Sequence, residues 1–197
     1  MPVVHNAMVS ISENNRALVP RGCSSAVIKD MKRIAVYAGS FDPPTLGHLW
    51  MVRTGASLFD EVVVVVAYNP DKPGMFSLEA RLDLWQQLCA DVPGCVRICT
   101  LNRGFLAEYA QQLGACCLLR GIRNTADFEY EKGMARINAS MVPQVPTVFL
   151  TPPPELENVS SSLIRGFLGQ PGWERWVSPH VHPAVLSVLK RKFGTEG

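Results

Sequence analysis

The 197-residue sequence lacks the features that mark several large classes of protein. It has no apolar run near the ~20 residues needed to cross a bilayer, and no apolar segment follows a charged start as in a secretory signal. It has no run of lysine and arginine, and 19 basic against 17 acidic side chains give a formal net charge of +2. The sequence therefore predicts neither a membrane protein nor a protein that binds nucleic acid through a broad basic surface.

The six cysteines are not spaced as a metal site or a disulfide framework. They form no C-x-x-C pair, and neither zinc-ligand nor secreted-framework spacing is present. Cys116 and Cys117 lie in an apolar run, which is typical of small core residues. This use of cysteine predicts a reducing, cytoplasmic setting and no cysteine-based metal site. The acidic residues 127–131 could suggest a metal site or, equally, acids in the first turn of a helix, and no metal ligand is predicted among them.

The sequence does contain a regular alternation of strand and helix patterns. Residues 62–66 are all valine, which is typical of a parallel strand buried on both faces. The alternation predicts a single-domain α/β fold with a Rossmann-like, doubly wound parallel sheet of five strands and helices on both faces. The predicted strands are 34–37, 61–67, 96–101, 115–119 and 147–150.

Helix starts are marked by residues that cap helices. Ser77 is the predicted N-cap of a helix with Leu78, Leu82, Trp85 and Cys89 on its core face, and Thr125 is the predicted cap of a later helix. Residues 1–30 show little periodicity. We expect them to form a poorly ordered N-terminal extension, and residues 31–197 to form the folded domain.

The most distinctive segment is the turn from the first strand to the first helix, residues 39–48. Gly39 lets the backbone approach a ligand closely, and two prolines hold the loop extended. His48 lies at the start of the helix, where unpaired backbone N–H groups form an anion site, and Ser40 adds a hydroxyl across the turn. The pattern indicates phosphate binding; a structural turn with a capping histidine is the alternative.

Loops after the other strands carry further candidate phosphate ligands. Lys72 follows the second strand, two arginines follow the fourth at Arg120 and Arg123, and three serines open a helix at residues 160–162. Because the carboxyl ends of parallel strands meet at one edge, these loops should converge there. Guanidinium groups suit phosphate oxygens, and serines at a helix start can hold pyrophosphate. Ordinary solvated or capping roles are the alternatives.

These motifs together resemble a known family. Gly39-Ser40-Phe41-Asp42-Pro43 followed by Thr45-x-Gly47-His48 resembles the (H/T)xGH signature of the nucleotidyltransferase superfamily. Within it, the string Arg-Gly-x-Arg-x-x-x-Asp-Phe-Glu-Tyr-Glu at residues 120–131 is most similar to the phosphopantetheine adenylyltransferase family, and the resemblance covers about residues 32–190. It implies adenylyl transfer from ATP to 4′-phosphopantetheine with Mg²⁺, giving dephospho-coenzyme A and pyrophosphate. A homohexamer and feedback by coenzyme A are also implied.

The resemblance implies a role for each matched residue. His48 would stabilise the transition state, and the catalytic set is His48, Ser40, Lys72 and Arg123. The phosphopantetheine contacts would be Ser40, Lys72, Leu106 and Arg120. The ATP contacts would be Ser40, Phe41, His48, Gly121, Ile122, Arg123, Glu131, Leu156, Glu157, Asn158, Val159, Ser160, Ser161 and Ser162. Residues 156–158 depart from the family, because many relatives have aromatic residues there.

Three other functions remain open. Nicotinate-mononucleotide adenylyltransferase shares the turn signature but lacks the string at residues 120–131, and it usually has a second histidine where this chain has Thr45. A class I aminoacyl-tRNA synthetase shares the Gly-His pair, but this chain is short and nearly neutral for one. A catalytically silent nucleotide- or coenzyme A-binding module is disfavoured by the retained polar residues, Ser40, His48, Lys72, Arg120 and Arg123.

Overall fold

A computed structural model describes residues 32–68 and 74–194 of the chain. Its strands are β1 (Ile34–Gly39), β2 (Glu61–Ala67), β3 (Val96–Leu101), β4 (Cys117–Gly121) and β5 (Thr147–Leu150). All pairs are parallel, and the strand order is β3-β2-β1-β4-β5. The predicted five-stranded parallel sheet is therefore confirmed.

The helices in the described ranges are α1 (Leu46–Leu58), α2 (Leu78–Cys89), α3 (Leu106–Gln112), α4 (Thr125–Met141), α5 (Ser161–Phe167), α6 (Glu174–Val177) and α7 (Pro183–Phe193). Short 3₁₀ turns lie at Pro154–Leu156 and Ser178–His180. None of these helices is long and apolar enough to cross a membrane.

Both faces of the sheet are covered, as a doubly wound fold requires. Alternate residues of β2 enter two separate buried clusters: Val62, Val64 and Val66 in one, Val63 and Val65 in the other. The valine run is explained by this burial, because side chains along a strand point to opposite faces. The first cluster also takes in residues of α1, α2 and α7, whereas α3 packs on the second.

The order of the strands places a crevice beside β1. From β1 the chain moves outward through β2 to β3, then returns to the other side of β1 for β4 and β5. The carboxyl ends of β1 and β4 are therefore the switch point at which ligands bind in such folds.

Two predicted boundaries differ from the structure. β1 continues to Gly39, because it stays in register with β2 up to Val66. β4 spans Cys117–Gly121 instead of 115–119, because Arg120 and Gly121 pair with β5. A search for apolar runs ends the strand before Arg120, because arginine is polar, and so does not find this continuation. The predicted extension at residues 1–30 lies outside the described residues and stays a prediction.

Candidate active site

A cavity of about 330 Å³ lies at the switch point, between the carboxyl ends of β1 and β4. Its walls come from the β1–α1 turn (residues 39–48), the end of β4, α4 and the start of α5. Twelve predicted site residues line it: Ser40, Phe41, His48, Arg120, Gly121, Arg123, Glu131, Leu156, Val159, Ser160, Ser161 and Ser162. Segments separated by more than 100 residues thus converge as the parallel sheet predicts.

Other predicted site residues lie elsewhere. Ile122 continues the β4–β5 pairing by donating its N–H to Leu150 O, and Glu157 and Asn158 are exposed beyond the 3₁₀ turn. Leu106 is half-buried against the core cluster on the α3 face of the sheet. None of these four lines the cavity. Lys72 lies outside the described residues, so its role stays a prediction.

The start of α1 fixes the histidine of the turn. Thr45 is the N-cap: its N–H donates to His48 Nδ1 at 3.0 Å, and its Oγ1 accepts from the His48 N–H at 3.4 Å. These reciprocal bonds form a capping box, with histidine in place of the usual Glu or Gln. Because Nδ1 accepts, the neutral ring carries its proton on Nε2. The side chain can therefore offer an Nε2–H donor to a ligand.

The protonation of His48 follows from its surroundings. The ring is half-buried at the cavity wall. Loss of solvent, together with the smaller effect of the positive charge of Arg123, lowers the pKa of His48 from its ordinary value to about 4. At neutral pH in the absence of ligand, the imidazole is therefore an uncharged hydrogen-bond donor.

An aromatic cluster holds the turn beneath this histidine. The Phe41 ring packs edge-on against His48, with 5.1 Å between ring centres, and against Trp85 of α2 at 4.8 Å. Phe41 has φ +48°, a region that non-glycine residues rarely adopt. A Cβ on Gly39 would lie 2.8 Å from the Phe41 ring. The packing of the Phe41 ring thus requires glycine at position 39, whether or not a ligand also approaches the backbone there.

Two arginines at the end of β4 are held by carboxylates of α4. Arg120 donates through Nε and Nη2 to Glu131 at 2.6 and 2.5 Å, and through Nη1 to Ala38 O at 3.0 Å. Arg123 donates to both oxygens of Asp127 at 2.7 and 3.2 Å, and this bonding lowers the pKa of Asp127. The acidic string on α4 therefore orients the two cations at the cavity.

The serine run supports the turn as well as facing the cavity. Ser160 caps α5 by accepting from Leu163 N–H, and Ser161 Oγ donates to Pro43 O at 2.8 Å. Arg165 donates to Asp42 O at 2.7 Å and to Ser162 Oγ at 2.9 Å. Sequence analysis assigned no site role to Arg165 or Asp127, although Asp127 lies inside the string at residues 120–131 and Arg165 follows the serine run by three residues.

A second cavity of about 650 Å³ adjoins the first. Ser40 and Arg165 line both, so the two cavities meet at the β1–α1 turn. Arg81 and Arg103 add two further guanidinium groups to the second cavity, and neither was predicted. The pair of cavities offers room for two anionic ligands with their reacting ends near Ser40.

The parallel sheet, the switch-point cavity and the histidine-containing turn define a protein of the nucleotidyltransferase class. The cytidylyltransferase-like family model matches residues 36–167, more than half of the chain. With its relatives taken into account, the chain belongs to the phosphopantetheine adenylyltransferase family.

Two relatives show the extent of the match. The phosphopantetheine adenylyltransferase of Neisseria meningitidis serogroup C (strain 053442) is 42% identical over 163 residues, which is 83% of this chain and 95% of that protein. The phosphopantetheine adenylyltransferase of Chromobacterium violaceum is 46% identical over 166 residues, covering 82% of this chain and all of that protein.

Solved structures support the fold. The nicotinic acid mononucleotide adenylyltransferase of Plasmodium falciparum, solved in complex with NaAD, has a TM-score of 0.59. It is 16% identical in sequence, and the match covers 84% of this chain and 97% of that one. At this identity the likeness concerns the fold alone.

Proposed function

We propose that this chain transfers the adenylyl group of ATP to 4′-phosphopantetheine, giving dephospho-coenzyme A and pyrophosphate. A phosphate oxygen of phosphopantetheine attacks the α-phosphorus of ATP, and the bond to the pyrophosphate oxygen breaks. The observation that carries the proposal is the meeting of two cavities at Ser40, in a chain of this family. The family relationship also favours this reaction over that of the nicotinate-mononucleotide enzymes.

ATP would occupy the first cavity, with its phosphates against the β1–α1 turn. The Nε2–H of His48 would donate to a phosphate oxygen as negative charge builds up in the transition state. Arg123 and the start of α5 would bind the remaining phosphate oxygens. Positioning and electrostatic stabilisation suffice for such a reaction, because the protein forms no covalent intermediate.

Phosphopantetheine would enter through the second cavity and present its phosphate at Ser40. Arg120 lines the first cavity, where Glu131 and Ala38 O fix it at the end of β4, and it would bind that phosphate from the first-cavity side of the point where the two cavities meet. Lys72 would add a second cation, as the resemblance implies. Arg81, Arg103 and Arg165 give the second cavity a positive lining suited to an anionic substrate.

Mg²⁺ is proposed as the cofactor. Glu131 is the carboxylate of the first cavity and bonds to Arg120 through both oxygens. Within residues 32–68 and 74–194, no group of three or more His, Cys, Asp or Glu could hold a metal. This arrangement fits an ion held through phosphate oxygens and water, which is usual for Mg²⁺. The ion would neutralise phosphate charge, while the protein side chains orient the phosphates.

The cellular setting and assembly are also proposals. The five described cysteines are free, which supports the predicted cytoplasmic location. A homohexamer and feedback by coenzyme A are proposed from the family resemblance. No nucleic-acid or membrane partner is proposed, in line with the charge of +2.

The deciding experiment is release of pyrophosphate from ATP and Mg²⁺ with either 4′-phosphopantetheine or nicotinate mononucleotide. Release with phosphopantetheine alone is expected. Release with the mononucleotide alone would contradict the proposed substrate and keep the turn chemistry. No release with either, together with measurable ATP or coenzyme A binding, would indicate a silent binding module.

A further inference from the structure

A buried arginine on α2 contacts the β1–α1 turn from outside the ATP cavity. Arg81 is only 3% exposed, and its Nη1 donates to Ser40 O at 2.8 Å. Its Nε lies 3.4 Å from Ser77 O, and its guanidinium carbon is 5.7 Å from the centre of the Tyr68 ring. One side chain thus joins the start of α2, the end of β2 and the turn.

The same face of α2 contacts the next residue of the turn. Trp85 follows Arg81 by four residues, so the two side chains are neighbours on the helix surface. Trp85 is fully buried and packs edge-on against Phe41, whose ring packs on His48. Helix α2 therefore supports both Ser40 and Phe41, and through Phe41 it supports His48.

The turn has a conformation that must be held by its surroundings. Phe41 has φ +48°, and such backbone persists where neighbouring contacts fix it on both sides. After Phe41, the Asp42 carboxylate accepts from Met75 N–H at 2.6 Å and Phe76 N–H at 2.9 Å. Before Phe41, the bond from Arg81 to Ser40 O makes the corresponding contact.

We propose that Arg81 is a positioning residue for adenylyl transfer. By holding Ser40 O, it orients the Ser40 hydroxyl and the Phe41 backbone toward the two reacting phosphates. This inference rests on the proposed function and assigns no contact between Arg81 and ATP. Because Arg81 also lines the second cavity, direct binding of the phosphopantetheine phosphate is the competing role.

A double-mutant cycle separates these roles. Arg81→Met, Ser40→Ala and the double variant are compared by kcat per folded, ATP-binding site, with both Michaelis constants measured. We expect Arg81→Met alone to lower kcat by about 30-fold, since small misplacements cost up to ~100-fold. The double variant should be within about threefold of the worse single variant, because both changes affect the same turn.

Two outcomes would overturn the inference. If the two losses multiply in the double variant, Arg81 acts independently of Ser40. If Arg81→Met raises the Michaelis constant for phosphopantetheine and leaves kcat unchanged, Arg81 binds that substrate directly. A wild-type enzyme that releases no pyrophosphate would instead contradict the proposed function, so the two failures are distinguishable.

Matched variants complete the test. Arg33→Met removes the same charge at the opposite end of the sheet, where Arg33 forms an exposed pair with Asp60, and it should keep wild-type kcat. Arg81→Lys should lower kcat by only about fivefold, because its ammonium can still donate to Ser40 O. If Arg81→Met does not fold, the same cycle is run with Arg81→Lys. Losses that multiply with Ser40→Ala would again contradict the positioning role.

Discussion

At the scale of the residue, the site depends on the different roles of the two ring nitrogens of His48. The Thr45 N–H occupies Nδ1, so the proton lies on Nε2, and burial keeps the ring uncharged. His48 is thus both a member of the capping box of α1 and the proposed hydrogen-bond donor to a phosphate oxygen. A substitution of His48 that keeps only one of these two roles can therefore separate them.

Replacement of His48 should therefore affect turnover and stability differently. His48→Ala removes both functions, and we expect kcat to fall at least ~100-fold, as for the loss of one transition-state donor. His48→Asn should lose as much activity but keep the melting temperature closer to wild type, because its amide oxygen can accept from Thr45 N–H. Steady-state kinetics and thermal melts measure the two effects. Near-normal turnover of either variant would contradict the assigned role.

The lowered pKa of His48 also predicts a pH dependence of stability. The unfolded chain binds a proton at the ordinary histidine pKa near 6.5, whereas the folded chain binds it near pH 4. Between these values the unfolded state holds more protons, so the free energy of unfolding should fall as pH decreases from about 6.5 toward 4. Urea unfolding should show a smaller fall in His48→Asn. An equal decrease in the free energy of unfolding of the wild type and of His48→Asn would contradict the lowered pKa of His48 in the folded state.

At the scale of the element, the existence and order of strands and helices are predictable, but their exact ends and their partners across the fold are not. Ser77 caps α2 as predicted, whereas Asn124 caps α4 and Thr125 is its first residue. Asn and Thr are both good caps, and it is Asn124 whose Oδ1 accepts from Asp127 N–H, at 2.9 Å. In α2, Arg81 takes a buried position, which an apolar pattern cannot identify because guanidinium burial requires an acceptor from another segment.

The ion pair between Arg120 of β4 and Glu131 of α4 gives a prediction about substrate binding. Arg120→Ala should raise the Michaelis constant for phosphopantetheine more than that for ATP, because Arg120 is proposed to bind the phosphopantetheine phosphate. It also leaves the buried Glu131 unpaired, so stability should fall by about 3 kcal/mol, and Arg120→Ala with Glu131→Gln should recover part of it. Kinetics and urea unfolding test this. An equal or larger rise in the Michaelis constant for ATP would contradict the assignment of Arg120 to the phosphopantetheine phosphate.

The start of α5 gives a second prediction at this scale. Ser160→Ala removes the N-cap and should cost about 1 kcal/mol of stability. Ser160→Asp restores a capping oxygen and should recover that stability, but its charge in the cavity proposed to bind ATP should raise the Michaelis constant for ATP. Unfolding curves and kinetics of the two variants are compared. Full activity of Ser160→Asp would place the ATP phosphates away from this helix.

At the scale of the whole molecule, the topology explains which features of the site were predictable. Parallel strands bring their following loops to one edge, so most of the predicted phosphate ligands meet in one cavity. The sequence could not show that Ser161 bonds to Pro43, or Arg165 to Asp42, across 118 and 123 positions of the chain. Such contacts depend on the packed positions of α5 and the β1–α1 turn, and local patterns do not contain that information.

The proposed homohexamer can be tested on the face of α4. Of the 17 residues in this helix, only Glu131 is buried, and Tyr130 and Ile137, which are seven residues apart and so lie on one face, are 66% and 52% exposed. Exposed apolar side chains grouped on one long helix suit contact with another copy of the chain. Light scattering should give a mass near six times 21.7 kDa for wild type and a smaller species for Ile137→Asp. Leu58→Asp, at the 46% exposed end of α1, is the matched control and should keep the wild-type mass. A monomeric wild-type protein would contradict the assembly, and an unchanged mass for Ile137→Asp would place the interface elsewhere.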